Sequence, residues 1–287
     1  MNIEPLHTEF GARISGVDLS RELDPSTFEQ VDLALNRYSF LLFAGQQMND
    51  QAHLDFTRRF GELEEEHVAY FSRGEITYIG TVGNIDERGN KVSARQIKSS
   101  TGNEMWHSDS SFREIPAMYS LLTAYEVPDE AGETAFASAR SAYQRLDPAT
   151  RELIEGRIGI HDYIYSRTKV GEDAVNQGQR TYMHPVRQRL VRQNPVTGER
   201  NVFVGSHVKE IEGMPDAEAK PLIKRLIAEV TRPASIYRHR WQVGDFVIWD
   251  NRCLLHCGCG YDAEKYRRRM HQTRVRGQGP SLAELLK

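Results

Sequence analysis

The sequence has few cysteines, no long apolar segment and no excess of positive charge. It holds three cysteines in 287 residues, and no apolar run approaches the roughly 20 residues needed to cross a bilayer. Residues 1–16 carry several charged side chains and no apolar segment of the kind found in signal peptides. An odd number of cysteines without such a signal predicts reduced thiols in a cytoplasmic protein.

Charge and composition exclude further classes of protein. The formal net charge of -3 gives no overall basic field, so we expect neither a nucleic-acid partner nor a membrane partner. An apolar fraction of 39% and a charged fraction of 27% are typical of a folded globular protein. No internal repeat, low-complexity stretch or Pro/Gly-rich linker divides the chain, so we expect one domain over residues 1–287.

The pattern of apolar residues predicts a mixed α and β fold. Strands are expected on both sides of the candidate ligands described below, with helices between and outside them. This arrangement favours a double-stranded β-helix, or jelly roll, with flanking helices. Residues 165–176 are polar without clear periodicity and predict a long active-site loop. The predicted helices are 26–37, 49–60, 138–145, 148–155 and 216–230, and the predicted strands are 38–43, 119–127, 235–240, 246–249 and 271–275.

A His-x-Asp motif offers two metal ligands. His107 and Asp109 are two residues apart, so in an extended segment their side chains point the same way. The motif alone is a weak signal and needs a distant histidine; His256 follows the apolar strand predicted at 246–249. Two histidines and one carboxylate on one face leave three coordination positions open, which suits iron(II) oxygenases.

Three segments carry a family resemblance. They are 105–112 (MWHSDSSF), 132–136 (GETAF) and 237–256 (YRHRWQVGDFVIWDNRCLLH). In this order they resemble the taurine and 2,4-dichlorophenoxyacetate dioxygenase family, most strongly its phenoxyacetate branch. The resemblance runs over about residues 3–277. It implies an oxidoreductase that binds Fe(II) through His107, Asp109 and His256 and uses 2-oxoglutarate and O2.

The resemblance also implies residues for the two organic ligands. Thr134 and Arg268 match the pair that holds the distal carboxylate of 2-oxoglutarate; Arg267 and Arg269 are the alternatives if the register differs by one. Gln272 stands where the family has a substrate-binding arginine, and Arg274 could share its face. The other substrate-side matches are His67, Tyr70, Asn103 and Lys91, although a core role for His67 and a solvated role for Lys91 stay open. Phe71, Tyr163 and Tyr165 could line the substrate or belong to the core.

The implied activity is hydroxylation of a C–H bond next to a heteroatom in a small anionic substrate. An aryloxyalkanoate such as 2,4-dichlorophenoxyacetate ranks first, with ether cleavage to a phenol and an oxo-acid, as in the degradation of aromatic compounds. The same chemistry on an alkyl sulfonate, a sulfate ester or a natural-product acid stays open. Remoter alternatives are a jelly-roll metal hydrolase and a metal-free binding module. The family is commonly oligomeric, which implies a homo-oligomer.

Overall fold

The computed structural model describes residues 1–66 and 77–284, and the fold in these ranges is a mixture of α and β, as predicted. The helices are α1 (Pro25–Tyr38), α2 (Asp50–Arg58), α3 (Ala94–Ser100), α4 (Ala139–Arg145), α5 (Pro148–Ile154), α6 (Tyr163–Thr168), α7 (Gln177–Tyr182) and α8 (Asp216–Val230). The strands are β1 (Asn2–Pro5), β2 (Ala12–Ser15), β3 (Phe40–Phe43), β4 (Gly80–Gly83), β5 (Ala117–Glu126), β6 (Thr134–Ser138), β7 (Ile158–His161), β8 (Val186–Arg189), β9 (Val191–Gln193), β10 (Arg200–Val202), β11 (Val208–Ile211), β12 (Ile236–His239), β13 (Phe246–Asp250), β14 (Leu254–Gly258) and β15 (Arg269–Arg276).

Local sequence signals explain where the predicted helices begin and end. The side chain of Asp24 accepts a hydrogen bond from the backbone N–H of Thr27, and Pro25 occupies the first turn of α1. The helix ends at Ser39, which adopts the left-handed conformation with φ 62°. The prediction for α8 is confirmed at both ends, although Pro221 lies inside this helix. The other helices and the strands predicted from periodicity are also present, with ends shifted by at most a few residues.

Two sheets face each other across the apolar core. The larger sheet has seven strands in the order β1-β2-β3-β13-β5-β15-β4, and a three-stranded sheet has the order β12-β6-β14. Phe136 of β6 packs against Trp249 of β13 with ring centroids 5.6 Å apart. Leu122 of β5 and Leu254 of β14 belong to the same buried cluster. Burial of these side chains from both sheets stabilises the face-to-face packing.

The prediction of a long loop at 165–176 is wrong. The segment begins inside α6, passes through a short 3-10 turn at Glu172–Ala174 and leads into α7. The side chain of Asp162 caps α6 by accepting from the backbone N–H of Tyr165. The buried face of α6 consists of Tyr163, Ser166 and Arg167. Two of these three residues are polar, so a search for apolar periodicity does not detect the helix.

The helices and the cysteines bear on the expectations about membranes and thiols. Across the described residues, no helix combines the length and apolar character that crossing a membrane requires. Cys253, Cys257 and Cys259 are all free thiols, and the first two are buried.

Candidate metal centre

Three side chains that could bind one metal ion lie together beside β14. Nε2 of His107 is 3.6 Å from Oδ1 of Asp109, and Nε2 of His256 is 3.7 Å from the same oxygen. Donor atoms from all three residues lie within 4.8 Å of one another. The structure therefore brings together the three residues that the sequence motifs singled out.

The backbone fixes the positions of the two histidines. His107 and His256 form an isolated antiparallel β-bridge, with N–H to O distances of 3.0 and 2.9 Å in the two directions. Nδ1 of His107 lies 2.8 Å from the carbonyl oxygen of Met105. A carbonyl oxygen only accepts, so Nδ1 donates in this contact, and Nε2 is the ring nitrogen that faces Asp109.

A network of hydrogen bonds orients the carboxylate of Asp109. Its Oδ2 atom accepts from Oγ of Ser120 at 2.7 Å and from Nε2 of Gln272 at 2.9 Å. Oδ1 of Asn251 accepts from the backbone N–H of Asp109, and Nδ2 of Asn251 donates to Oγ of Ser120. With Oδ2 occupied by these donors, Oδ1 is the oxygen that faces the two imidazoles.

The electrostatics of the three groups suit a cation. Burial, reinforced by neighbouring His107, lowers the pKa of His256 to about 3, so this imidazole is neutral and can act as a ligand. Burial alone would raise the pKa of Asp109. The nearby His256 and His107 and the guanidinium of Arg274 outweigh that effect and hold this pKa well below its usual range. The imidazole of His256 and the carboxylate of Asp109 are thus in the protonation states that a metal ion requires of its ligands.

These residues fit a divalent transition metal. Distances of 3.6 and 3.7 Å are too long for normal hydrogen bonds between the imidazoles and Asp109. Two donors that each lie about 2.1 Å from a shared ion are separated by about 3–4 Å, which matches the observed spacing. Two histidines and one carboxylate on one side of an ion are typical of non-haem iron(II) oxygenases.

The two residues predicted to hold 2-oxoglutarate lie near the end of β14. Thr134 is the register partner of Gly258, two residues beyond His256, and Oγ1 of Thr134 accepts from the indole N–H of Trp241. The guanidinium of Arg268 lies over the ring of Tyr261. Arg268 is only 7% exposed, has no carboxylate partner among the described residues, and its buried Nε has no hydrogen-bond partner. Burial lowers the pKa of Arg268, and an anionic ligand would offset the cost of burying this charge.

The two alternatives to Arg268 lie in different surroundings. Arg267 is exposed and pairs with Glu126 at 2.6 Å. Arg269 is half-buried and pairs with the same carboxylate at 3.0 Å. Both of these guanidinium groups already have a counter-ion, unlike Arg268 among the described residues, and the role of Arg268 as the 2-oxoglutarate ligand stays a prediction.

The substrate-side predictions have mixed outcomes. Asn103 is half-buried, and its Oδ1 accepts from Nη2 of Arg167 at 2.7 Å. Lys91 is exposed and donates to the carbonyl oxygen of Glu264, a contact that does not connect it to the three ligands. The predicted residues His67 and Tyr70, and also Phe71, lie outside the described residues.

The structure changes the interpretation of Gln272 and Arg274. Gln272 donates to a metal-ligand carboxylate, and its Oε1 accepts from Nη1 of Arg274 at 3.0 Å. Arg274 is buried and forms ion pairs with Glu64 at 2.9 Å and with Glu66 at 2.6 Å. Two carboxylates thus already offset the charge of Arg274, and its role in binding a substrate anion stays a prediction.

Sequence reasoning missed His207. This buried histidine lies edge-on to the His107 ring, with centroids 6.1 Å apart, and also contacts Phe112 and Tyr163. Burial lowers the pKa of His207 well below its usual value, so the ring is neutral. No motif surrounds His207 in the sequence, and a lone histidine carries no signal of its own.

The fold and the site together define a mononuclear non-haem metal oxygenase. The model of the taurine catabolism dioxygenase TauD, TfdA family matches residues 2–274. This chain belongs to that family, and it is accordingly a dioxygenase.

Individual relatives agree with this assignment over nearly the whole chain. The alpha-ketoglutarate-dependent 2,4-dichlorophenoxyacetate dioxygenase of Cupriavidus pinatubonensis is 35% identical, over 92% of this chain and 93% of that protein. The (S)-phenoxypropionate/alpha-ketoglutarate-dioxygenase of Delftia acidovorans is 32% identical, over 97% and 96% of the two chains. The crystal structure of AAD-2 in complex with Mn(II) and N-oxalylglycine superposes with a TM-score of 0.89 at 34% identity, covering 99% of both chains.

Proposed function

We propose that the protein uses Fe(II), bound by His107, Asp109 and His256, and 2-oxoglutarate to hydroxylate a small organic anion. The substrate is an aryloxyalkanoate such as 2,4-dichlorophenoxyacetate, oxidised at the carbon next to the ether oxygen. One observation supports the proposal above all: His107, Asp109 and His256 lie together, and Arg268, a buried arginine without a carboxylate partner in the described part of the chain, lies over Tyr261, three residues after the end of β14.

Different residues of the chain bind the metal ion and 2-oxoglutarate. Bound Fe(II), with 2-oxoglutarate and O2, supplies the oxidation of the C–H bond. Arg268 and Thr134 hold the distal carboxylate of 2-oxoglutarate through a guanidinium fork and a hydroxyl donor. Ser120 and Gln272 keep the carboxylate of Asp109 turned towards the ion. This division requires no protein general base.

The preference for an aryloxyalkanoate is supported by the relatives. Two of the most similar proteins are named for dioxygenase activity on 2,4-dichlorophenoxyacetate and on (S)-phenoxypropionate. Hydroxylation next to the ether oxygen of such a substrate gives a hemiacetal. The hemiacetal then separates into a phenol and an oxo-acid, so phenol release reports on the position that is oxidised.

We also infer that the two facing sheets form a double-stranded β-helix within one domain over residues 1–287. The support is the antiparallel pairing of β5 with β13 and β15 in one sheet and of β6 with β12 and β14 in the other. The shared apolar cluster between them contains side chains from both sheets. The helices flank this arrangement.

The function can be tested in two stages. Anaerobic addition of Fe(II) and 2-oxoglutarate should produce a visible metal-to-ligand charge-transfer band; stoichiometric iron binding without colour would contradict the dioxygenase. A screen of succinate release should then compare 2,4-dichlorophenoxyacetate, an aryloxypropionate, an alkyl sulfonate and a sulfate ester. We expect the aryloxyalkanoates to give the highest kcat/KM, with a phenol as co-product. A higher value for a sulfonate or sulfate ester would replace the substrate and leave the chemistry intact.

A further inference from the structure

Six arginines in the described part of the chain are buried, and they fall into two groups. Four of them form ion pairs with carboxylates, whereas Arg167 and Arg268 have no carboxylate partner within that part. The paired arginines are Arg140 with Glu199, Arg192 with Glu284, Arg252 with Asp250, and Arg274 with Glu64 and Glu66.

A buried guanidinium without a counter-ion is unfavourable unless a ligand supplies the missing negative charge. For Arg268 the proposed function provides that anion, which is 2-oxoglutarate. No such partner has yet been assigned to Arg167. In the proposed function the second acid is the substrate itself, so the charge of Arg167 fits a substrate anion.

Hydrogen bonds hold the guanidinium of Arg167 in one orientation. Its Nη2 donates to Oδ1 of Asn103 at 2.7 Å, and its Nη1 donates to the carbonyl oxygen of Ser99 at 3.2 Å. The guanidinium carbon lies 5.1 Å from the ring centroid of Tyr163. Arg167 is only 8% exposed, and its buried Nε has no hydrogen-bond partner among the residues that the structure describes. At least one donor thus stays available for a ligand.

The neighbours of Arg167 connect it to the metal centre. Asn103 lies four residues before His107, and its carbonyl oxygen is 3.9 Å from the position that a Cβ of Gly258 would occupy, two residues beyond His256. On the other side, Tyr163 stacks on His207, and His207 lies edge-on to His107. Arg167 is therefore linked to His107 through Tyr163 and His207, and to the strand that carries His256 through Asn103 and Gly258.

Gly102 provides the space that Arg167 occupies. A Cβ placed on Gly102 would overlap Nη1 of Arg167 and would lie 3.0 Å from both its Cδ and its Cζ. Any larger residue at position 102 must displace the end of this arginine. The glycine and the arginine, 65 positions apart in the sequence, thus form one steric unit.

We propose that Arg167, oriented by Asn103, binds the anionic group of the substrate. At position 272 the family has a substrate-binding arginine, whereas this chain has the uncharged Gln272. Arg167 supplies the positive charge that is missing there. The proposal rests on the proposed function, because it takes the substrate to be a small organic acid. A guanidinium fork matches a carboxylate through two parallel N–H donors, which fixes the direction of the acid as well as its charge.

The test measures binding without turnover. Wild-type protein loaded with Mn(II) and N-oxalylglycine is titrated calorimetrically with phenoxyacetate and with its neutral analogue phenoxyacetamide. The variants are Arg167→Met, Arg167→Lys and Gly102→Ala, with Arg180→Met as a matched control. Arg180 is an arginine on α7 whose guanidinium is paired with Glu172. Binding of N-oxalylglycine and the melting temperature of each variant show whether the fold and the metal site are retained.

We expect wild type to favour phenoxyacetate over phenoxyacetamide, and Arg167→Met to weaken phenoxyacetate binding by about 100-fold while leaving the amide nearly unchanged. Arg167→Lys should recover part of the affinity. Gly102→Ala should weaken binding although the charge is still present, and Arg180→Met should match wild type. Suppose that Arg167→Met binds N-oxalylglycine as wild type does and still prefers phenoxyacetate over phenoxyacetamide. The assignment of Arg167 is then wrong, and the proposed function stands. If wild type binds neither compound, the proposed substrate class is wrong, and the assignment of Arg167 is lost with it.

Discussion

The side-chain amide of Gln272 donates a hydrogen bond to the carboxylate of Asp109, with Nε2 2.9 Å from Oδ2. The opposite end of the same amide accepts from Arg274, which in turn is paired with Glu64 and Glu66. A chain of buried and half-buried polar groups therefore runs from two carboxylates to a metal ligand. Each contact in this chain orients the next one, and Gln272 connects the arginine to the ligand.

This relationship predicts that Gln272→Ala weakens metal binding by about 10-fold or more, because residues that orient a ligand typically contribute that much to affinity. Gln272→Glu should weaken it further, since a second carboxylate would face Asp109. The measurement is the dissociation constant for Mn(II) or Co(II), determined by calorimetry without 2-oxoglutarate.

Gln242→Ala serves as the control, because Gln242 is an exposed glutamine. A Gln272→Ala protein that binds metal like wild type but has a raised KM for the organic acid would contradict this role. That result would mean that Gln272 binds the substrate, as the arginine at this position does in the family.

A second prediction concerns the arginine that receives 2-oxoglutarate. Arg268→Met should weaken 2-oxoglutarate binding by about 100-fold, because it removes a buried cation from a carboxylate. Arg267→Met and Arg269→Met should have much smaller effects, since those guanidinium groups pair with Glu126 near the surface. Anaerobic titration of the charge-transfer band measures all three. A larger loss in either neighbouring variant would shift the assignment by one position.

A third prediction tests the ligand set. His107→Ala should abolish the charge-transfer band and 2-oxoglutarate turnover, because only two protein ligands would remain. Cys257→Ala is a suitable control: it changes the residue next to His256, and its thiol is buried and free. Wild-type turnover of 2-oxoglutarate by His107→Ala would remove His107 from the ligand set.

The sequence could predict the part of the site that depends on local spacing. His107 and Asp109 are two residues apart and His256 follows the strand predicted at 246–249, so short motifs are enough to find them. The role of Gln272 could not be predicted in this way. It depends on the pairing of β15 with β5, which places Gln272 and Ser120 on the same face, next to Asp109.

Arg167 was missed for a different physical reason. It lies on the buried face of a six-residue helix. A prediction from apolar periodicity assigns every arginine to the surface, so it does not detect a buried one. Its partner Asn103 lies 64 positions earlier in the chain. The long helices α1 and α8 were predicted well, because their apolar residues repeat over several turns.

A fourth prediction concerns acid stability and the buried histidines outside the site. Burial lowers the pKa of His53 to about 3, and burial likewise lowers the pKa of His161 to about 3. In the unfolded chain both histidines take up protons near pH 6.5, whereas in the folded protein they stay neutral. The unfolded state therefore binds more protons below pH 6.5, and the free energy of unfolding falls as the pH is lowered from 6.5 towards 3. The slope is about 1.4 kcal/mol per pH unit for each histidine.

His161 allows this slope to be dissected. Its ring stacks on Phe203 with centroids 5.4 Å apart, and within residues 1–66 and 77–284 neither of its ring nitrogens has a hydrogen-bond partner. His161→Phe should therefore keep the packing and remove one titrating group, so its free energy of unfolding should fall less steeply between pH 6.5 and pH 5. Urea unfolding at both pH values measures the difference. His53 would be a poor choice for the same test, because both of its ring nitrogens contact threonine hydroxyls, those of Thr123 and Thr273. An unchanged slope in His161→Phe would mean that His161 does not contribute to acid unfolding.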